Sequence, residues 1–443
     1  MSELRNIPEI AGLDSRSQMV RIAPDVDVPL TDRVKVLVDA PEFRRLAGVS
    51  QLGLVRWIYP SANHSRFEHS LGVYRLALLF LRRLSHDERF VERIQVPDAE
   101  RFLVAALLHD LGHWPFCHLL EDIQLEETPR HEDFARRFLE SGEIGALLKE
   151  HWGMDPASAA DLLSGNCRDD ASRVLDSLLS GPIDIDKMDY LVRDSLHAGV
   201  PYGRHFDQER LIGSLCLNQA GDGLAITEKG KTAAELMVIA RYVMFSEVYW
   251  HHGVRAATAM LQRAFFLLRD QVDWESLFLM TDQPFIEELI RVAENTPAAP
   301  LLHGLFGPVR RLYKRVAQYS HFEDQELYDR LSGKKYASLT ECARRLAEEV
   351  TSMIGEPVAA EEILIDAPPR AREVQFNVDV FFPKTGTYRR LDDVSPVVRA
   401  LVQEQFDDYV KKVRVFVAPR LAEPLRNQAD LTDRIRQATE KLS

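Results

Sequence analysis

A chain of 443 residues with 55 Lys+Arg against 68 Asp+Glu carries a formal charge of −13 and a pI near 5.6. At about 150 residues per domain this length predicts two or three globular units, and a 46% hydrophobic share excludes general disorder. The acid excess excludes bulk, sequence-independent binding of DNA or RNA, which needs Lys and Arg to displace counterions. It leaves open a small anion held in a locally basic pocket. Cys117, Cys167, Cys216 and Cys342 lie far apart with no C-x-x-C pair. That spacing offers neither a zinc knuckle nor a disulfide framework and suits a reducing cytoplasm. The start M-S-E-L-R-N has no signal pattern. The most apolar runs, 76–81 and 102–108, fall far short of the roughly 20 residues of a spanning helix. The expectation is a soluble cytoplasmic protein without membrane contact.

Helical periodicity dominates the first two thirds. Over 65–84, Phe67, Leu71, Tyr74, Leu78 and Leu81 alternate at steps of four and three, while Val73, Leu76 and Phe80 share the other face with His69. That pattern predicts a helix buried on both sides. Asp98 is placed to cap the next helix, which is almost wholly apolar over 102–108 and ends at His109-Asp110, before Gly112 and Pro115 break the pattern. Further helices are predicted at 131–139, 157–163, 171–179, 186–196 and, as one long element, 231–252. The G-D-G turn at 221–223 followed by L-A-I-T reads as a short hairpin. Helix is expected to continue to about Ser352. Beyond it 362–365, 374–382 and 412–417 are rich in Val, Ile and Phe, punctuated by Pro368-Pro369 and 384–386. These predict a small C-terminal α+β subdomain closed by a polar helix. No internal repeat or low-complexity segment is visible.

Seven of the 14 histidines lie between residues 61 and 131. A single histidine on an apolar helix is more often a packed core residue than a ligand, but four positions stand out as a group. His69 lies on a buried helix, His109 and Asp110 end an apolar one, and Asp186 opens a later helix in D-I-D-K-M-D-Y-L-V-R-D. Imidazoles with carboxylates suit a divalent ion, and a cation would offset the cost of burying a carboxylate beside His109. His113 and His118 follow across a Gly- and Pro-broken segment that can turn both rings back towards that centre. Neither spacing fits H-E-x-x-H, so a zinc protease is excluded. Arg66, Lys187 and Arg241 each lie near one of these segments; converging, they would cradle a polyphosphate. The sequence has no G-x-x-x-x-G-K-[ST] loop, no G-x-S-x-G elbow and no Rossmann fingerprint.

The strings R-F-E-H-S-L-G-V (66–73), A-L-L-H-D-L-G-H-W-P-F-C-H (106–118) and D-I-D-K-M-D-Y-L-V-R-D (184–194) resemble the HD-domain phosphohydrolases. Within them they are similar to the deoxynucleoside triphosphate (dNTP) triphosphohydrolases that in vertebrates carry an added SAM domain. The resemblance runs from about Asp39 to Arg255 and more weakly through I-L-I-D-A-P-P and V-R-V-F-V-A-P. It implies a mainly α fold: an N-terminal segment (1–38) too short for a SAM domain, an HD helical core (39–255), a helical extension (256–352) and the small α+β subdomain (353–443).

The resemblance further implies that His69, His109, Asp110 and Asp186 hold one divalent metal; Mn, Fe, Zn, Co, Ni and Mg are not distinguished. His118 would be the general acid for the leaving 5′ oxygen, oriented by Glu121, where the family usually has Asp. His113 belongs with that catalytic group and, with His131, would contact the phosphates. Arg66, Lys187, Tyr190 and Arg241 would bind the phosphate chain, Gln51, Leu52 and Asp194 would face the deoxyribose, and Tyr249 would exclude a 2′-hydroxyl. Attack of water at the α-phosphorus would release deoxynucleoside and tripolyphosphate. The resemblance also implies a homo-oligomer, dimer or tetramer, with nucleotide between subunits; relatives read an activating guanine nucleotide with D-x-P-x-F-Q-R-L-R, and here the segment is D-A-P-E-F-R-R-L-A (39–47), so a guanine-activated tetramer does not follow directly. Another HD phosphohydrolase reaction, or a non-catalytic nucleotide sensor, would use the same pocket.

Overall fold

The computed structural model describes residues 3–125, 128–167, 169–369, 377–401, 409–426 and 428–440. Its centre is helix α1 (Arg66–Leu84), capped by Ser65, whose side chain accepts from Glu68 N. The expected apolar sets are buried, Leu71, Tyr74, Leu78 and Leu81 on one side and Val73, Leu76 and Phe80 on the other, except for Phe67, which is partly buried. Two helices pack on α1: α2 (Val96–Leu108) and, from later in the chain, α5 (Ile185–His197). Gly72 makes the second approach possible, because a Cβ there would lie 2.0 Å from Asp189 Oδ1 and 2.3 Å from Arg193 Nη2.

Asp98 does not take the N-cap of α2. The helix starts three residues earlier than a cap at Asp98 would place it, with Gln95 at the cap and Pro97 in the first turn, where a missing N–H costs nothing. Asp98 instead reaches back to accept from Gln95 N at 3.1 Å. After α2 the chain turns through Asp110–Gly112 into α3 (Cys117–Glu121) and later α4 (His131–Ser141). Gly112 is again a close approach: a Cβ would sit 2.0 Å from the His131 carbonyl.

The expected long helix over 231–252 is two helices. Residues Lys231–Met244 (α6) run into one π-helical turn, Phe245–Tyr249, and α7 (His252–Leu268) restarts with the His251 side chain accepting from Gly253 N. The hairpin around Gly221 is present as β3 (Leu215–Leu217) and β4 (Leu224–Thr227), after an N-terminal hairpin of β1 (Met19–Ile22) and β2 (Val26–Pro29).

Within the stretch expected to be helical to Ser352, β5 (Lys314–Tyr319) is a strand. The expected later strands are β6 (Ile363–Asp366), β7 (Asp379–Phe382) and β9 (Val413–Val417), with β8 (Thr387–Arg390) completing a hairpin on β7; residues 374–376 lie outside the described ones. They join two sheets. β7 runs parallel to β4, giving the order β3-β4-β7-β8, and β9 lies between β5 and β6. All five residues of β9 are buried, as a covered central strand requires. The chain ends in a short helix, Leu431–Thr439, after α8 (Tyr336–Ile354) has packed against β6. No described helix is long and apolar enough to cross a membrane.

Candidate metal and phosphate site

α1, α2 and α5 bring three of the four expected ligands to one point. His69 Nε2 lies 3.2 Å from His109 Nε2 and 3.0 Å from Asp186 Oδ1, and Asp186 Oδ1 lies 4.0 Å from His109 Nε2. Atoms at about 2.1 Å from one ion stand about 3.0–3.4 Å apart in octahedral or tetrahedral arrangement; the two spacings from His69 fit a shared divalent ion, and the 4.0 Å between His109 and Asp186 is wider.

The tautomers fit as well. Asp189 Oδ2 is 2.8 Å from His69 Nδ1, and a carboxylate only accepts, so Nδ1 carries the hydrogen. His109 Nδ1 donates to the Ala106 carbonyl at 3.0 Å. With both rings neutral, the two Nε2 lone pairs would face each other and a carboxylate oxygen, an arrangement that calls for a proton or a cation between them. Burial lowers the His69 pKa, but hydrogen bonds to Asp186 and Asp189 overcome this and carry it up to about 10. The cluster demands positive charge.

Asp110 stands at the edge of this trio. Its Oδ1 is 3.4 Å from His109 Nε2 and 3.0 Å from His113 Nδ1, while Oδ2 accepts from Arg66 Nη1 at 2.9 Å. Burial would raise its pKa, yet Arg66 and the surrounding histidines hold it well below the carboxylate range. Arg66, expected on the phosphate chain, is thus a buried partner of Asp110.

His113, His118, Glu121 and His131 form a second group, joined to the first through Asp110. His113 Nε2 is 3.1 Å from His118 Nε2. Burial and the nearby Arg66 charge keep the His113 pKa well below its ordinary value, so it is neutral. His113 Nδ1 lies 3.0 Å from Asp110 Oδ1 but makes no hydrogen bond there, so one of the two facing Nε2 atoms of His113 and His118 carries the hydrogen of their contact. Glu121 lies at 3.3 Å from His118 Nδ1 and accepts from His131 through both the ring Nδ1 and the backbone N at 2.9 Å. Glu121 therefore spans both rings. Burial would raise its pKa, but the two histidines pull it below the usual range. The N–H groups aimed at Glu121 leave little room for a metal among His118, Glu121 and His131, although their ligand atoms lie within 4.8 Å of one another.

The sugar and phosphate candidates surround these groups. Tyr249, at the end of the π turn, donates from its hydroxyl to Asp194 Oδ2 at 2.6 Å, and Asp194 Oδ1 meets His64 Nε2 at 2.8 Å. The Tyr190 and Tyr249 rings meet edge to face at 6.4 Å, and burial raises both phenol pKa values, so they stay protonated. Lys187 Nζ donates to the buried Asp184 at 2.5 Å, whose pKa burial pushes up to about 6. Arg241 is buried with its guanidinium over the Phe245 ring. Gln51 N donates to the His64 carbonyl at 3.0 Å, fixing the segment that also carries Leu52 beside the start of α1. Gln51 Oε1 is buried with no hydrogen-bond partner among the described residues.

Five residues of this network were not anticipated: His64, Glu68, Asp184, Asp189 and Arg193. Asp189 binds Arg193 through two hydrogen bonds of 2.7 and 2.8 Å, and Arg193 Nη1 reaches Glu68 Oε1 at 2.7 Å. A signal existed in the recurrence of Asp at 184, 186, 189 and 194 along one helix. Asp189→Asn is expected to cost about 3 kcal/mol, since it leaves the buried guanidinium with Glu68 as its one carboxylate partner among the described residues. The Asp189 pKa is lowered overall, against burial, by Arg193 and His69. Its stabilising contribution is therefore complete above the unfolded value of about 3.9 and is lost as pH falls through the lower folded value. The melting-temperature gap between wild type and Asp189→Asn should stay constant from about pH 8 to 5 and close below about pH 4.

Comparison with known proteins places this site in a family. The HD domain model matches residues 66–194 and the HD associated region model matches 206–441. An uncharacterized protein of Methanocaldococcus jannaschii is 31% identical over 392 residues, covering 87% of this chain and 76% of its own. The deoxynucleoside triphosphate triphosphohydrolase SAMHD1 of Gallus gallus is 28% identical over 349 residues, covering 67% of this chain and 56% of its own. A crystal structure of a hypothetical protein from Aquifex aeolicus superposes with a TM-score of 0.72 at 27% identity, covering 92% of this chain and 98% of that one. With the ligand trio inside the segment that the HD domain model matches, the chain belongs to the HD-domain phosphohydrolase family.

Proposed function

We propose that the protein hydrolyses deoxynucleoside triphosphates to deoxynucleoside and tripolyphosphate. The observation that carries the reading is the junction at Asp110, 3.4 Å from His109 Nε2 and 3.0 Å from His113 Nδ1, which sets a cation site next to the His113–His118 pair. His69, His109 and Asp186, with Asp110 beside them, would hold a divalent ion; bound there, it supplies a Lewis acid that polarises a phosphoryl oxygen and acidifies water.

The remaining chemistry belongs to side chains. His118 presents Nε2–H to the leaving 5′ oxygen and gives up that proton as the bond to the α-phosphorus breaks. Glu121 holds the ring through Nδ1, and its longer side chain, where relatives have Asp, also grips His131. Lys187, Arg241, Tyr190, His131 and His113 line the course of the phosphate chain, where positioning and electrostatics do most of the work. Lys187 would exchange its Asp184 contact for phosphate. Gln51 Oε1, buried without a donor, is suited to accept from a sugar hydroxyl, with Leu52 beside it. Asp194 is already bridged by Tyr249 and His64, and the fixed Tyr249 ring would exclude a 2′-hydroxyl. The similarity to relatives named as dNTP triphosphohydrolases supports this substrate class. Assembly into a homo-oligomer with a nucleotide activator belongs to the same proposal.

Incubation of the protein with each dNTP and Mn or Mg, followed by phosphorus NMR, is expected to yield tripolyphosphate and deoxynucleoside. Release of orthophosphate or pyrophosphate would replace this reading with another HD phosphohydrolase reaction, and binding without any product would leave a nucleotide sensor.

A further inference from the structure

A cavity of about 280 Å3 opens outside the histidine groups. One wall is Asp122 and Gln124, directly after α3; another is Gln262 of α7, whose Nε2 donates to the Leu119 carbonyl at 2.7 Å. The rest includes Lys334 and Lys335 at the start of α8, and Asp366 at the end of β6.

The cavity lining carries Arg255, Lys334 and Lys335 against Asp122 and Asp366, one positive charge in excess. Asp366 is neutralised by Arg255, which donates to it at 2.5 and 3.1 Å, and Arg414 stands 3.9 Å away. Among the described residues, Lys187 and Lys231 each lie within 4.0 Å of a carboxylate. Lys334 and Lys335 have no such partner, in a chain of net charge −13. α8, 19 residues long, starts here with Lys335 at the N-cap and no side-chain cap. Ser, Thr, Asp or Asn is preferred at that position, and the first N–H groups of a long helix favour an anion.

We propose that this cavity is a second anion site, which takes a polyphosphate chain on Lys334 and Lys335, either free or carried by a nucleoside. The claim of binding stands without the reading of the metal cluster.

The test is isothermal titration of the full-length protein with inorganic tripolyphosphate and, separately, with ATP. Each is measured on wild type, on Asp186→Asn, and on Asp186→Asn carrying Lys334→Gln and Lys335→Gln. Asp186→Asn should retain one polyanion site. The lysine pair should weaken it at least tenfold with no change in thermal melting, and Lys334→Arg with Lys335→Arg should restore it. Tighter binding of ATP identifies a nucleoside polyphosphate as the occupant, and equal binding identifies the free chain. Unchanged affinity in the Gln pair, or no binding of either probe, overturns the proposal. Binding that Asp186→Asn abolishes outright places the anion in the HD site instead, which overturns this inference and leaves the reading of that site intact. Failure of dNTP hydrolysis with lysine-dependent binding intact has the converse meaning.

Discussion

Asp186→Asn is expected to lower kcat by about 10^3-fold or more, because loss of a metal ligand forfeits several kcal/mol of charge stabilisation at 1.36 kcal/mol per tenfold. The amide keeps the size of the side chain but removes the negative oxygen that lies 3.0 Å from His69 Nε2. Two imidazole lone pairs 3.2 Å apart would remain, with less anionic charge to hold a cation between them. Metal content measured by elemental analysis should fall in parallel with kcat. A second readout does not depend on turnover. A ligand that binds only the folded state stabilises it by about 2.7 kcal/mol at 100 times its Kd, so a chelator should lower the melting temperature of wild type and leave that of Asp186→Asn in place. A variant with full metal content and full activity would remove Asp186 from the ligand set.

The positions that chemistry demands were legible in the sequence, and the positions that support them were not. His69, His109 and Asp186 could be read because imidazoles and carboxylates on apolar helices need a common reason for burial. Asp189 holds His69 across 120 residues of chain, and His64 holds Asp194 across 130. Such contacts depend on which faces of α1 and α5 meet, and periodicity alone does not say so. The gap between them is set by Gly72, whose missing Cβ is invisible as chemistry until Asp189 is seen against it.

Secondary structure shows the same division. The α1 periodicity was sufficient because both of its faces are apolar. The π turn at Phe245–Tyr249 interrupts F-S-E-V-Y-W-H-H, which contains no Gly or Pro to announce a break. It is here that Tyr249 is turned onto Asp194, in keeping with the placement of π turns at functional sites. Likewise K-R-V-A-Q-Y of β5 carries too little apolar character to read as a strand by itself, and becomes one by pairing with V-R-V-F-V of β9. The strongly patterned partner was readable; the strand it recruits was not.

His118→Ala should lower kcat by about 10^2- to 10^4-fold, the range for loss of a general acid, while leaving metal content unchanged. That combination separates it from Asp186→Asn. The alternative role for His118, as a phosphate contact beside His131, predicts a raised KM with kcat largely kept. Leaving-group chemistry sharpens the distinction. Protonation matters most for a poor leaving group such as the 5′ oxygen of a deoxynucleoside, and little for a p-nitrophenolate. The deficit of His118→Ala should therefore shrink with a p-nitrophenyl phosphodiester and persist with a dNTP. Glu121→Gln should fall between wild type and His118→Ala, because the amide oxygen can still accept from a ring N–H but as a weaker, neutral acceptor. In wild type the kcat–pH profile should carry an alkaline limb reporting the essential acid, and His118→Ala should lack it. An alkaline limb that persists in His118→Ala would move the proton donor to another group, and a uniform loss across both leaving groups would assign the ring to positioning the phosphates.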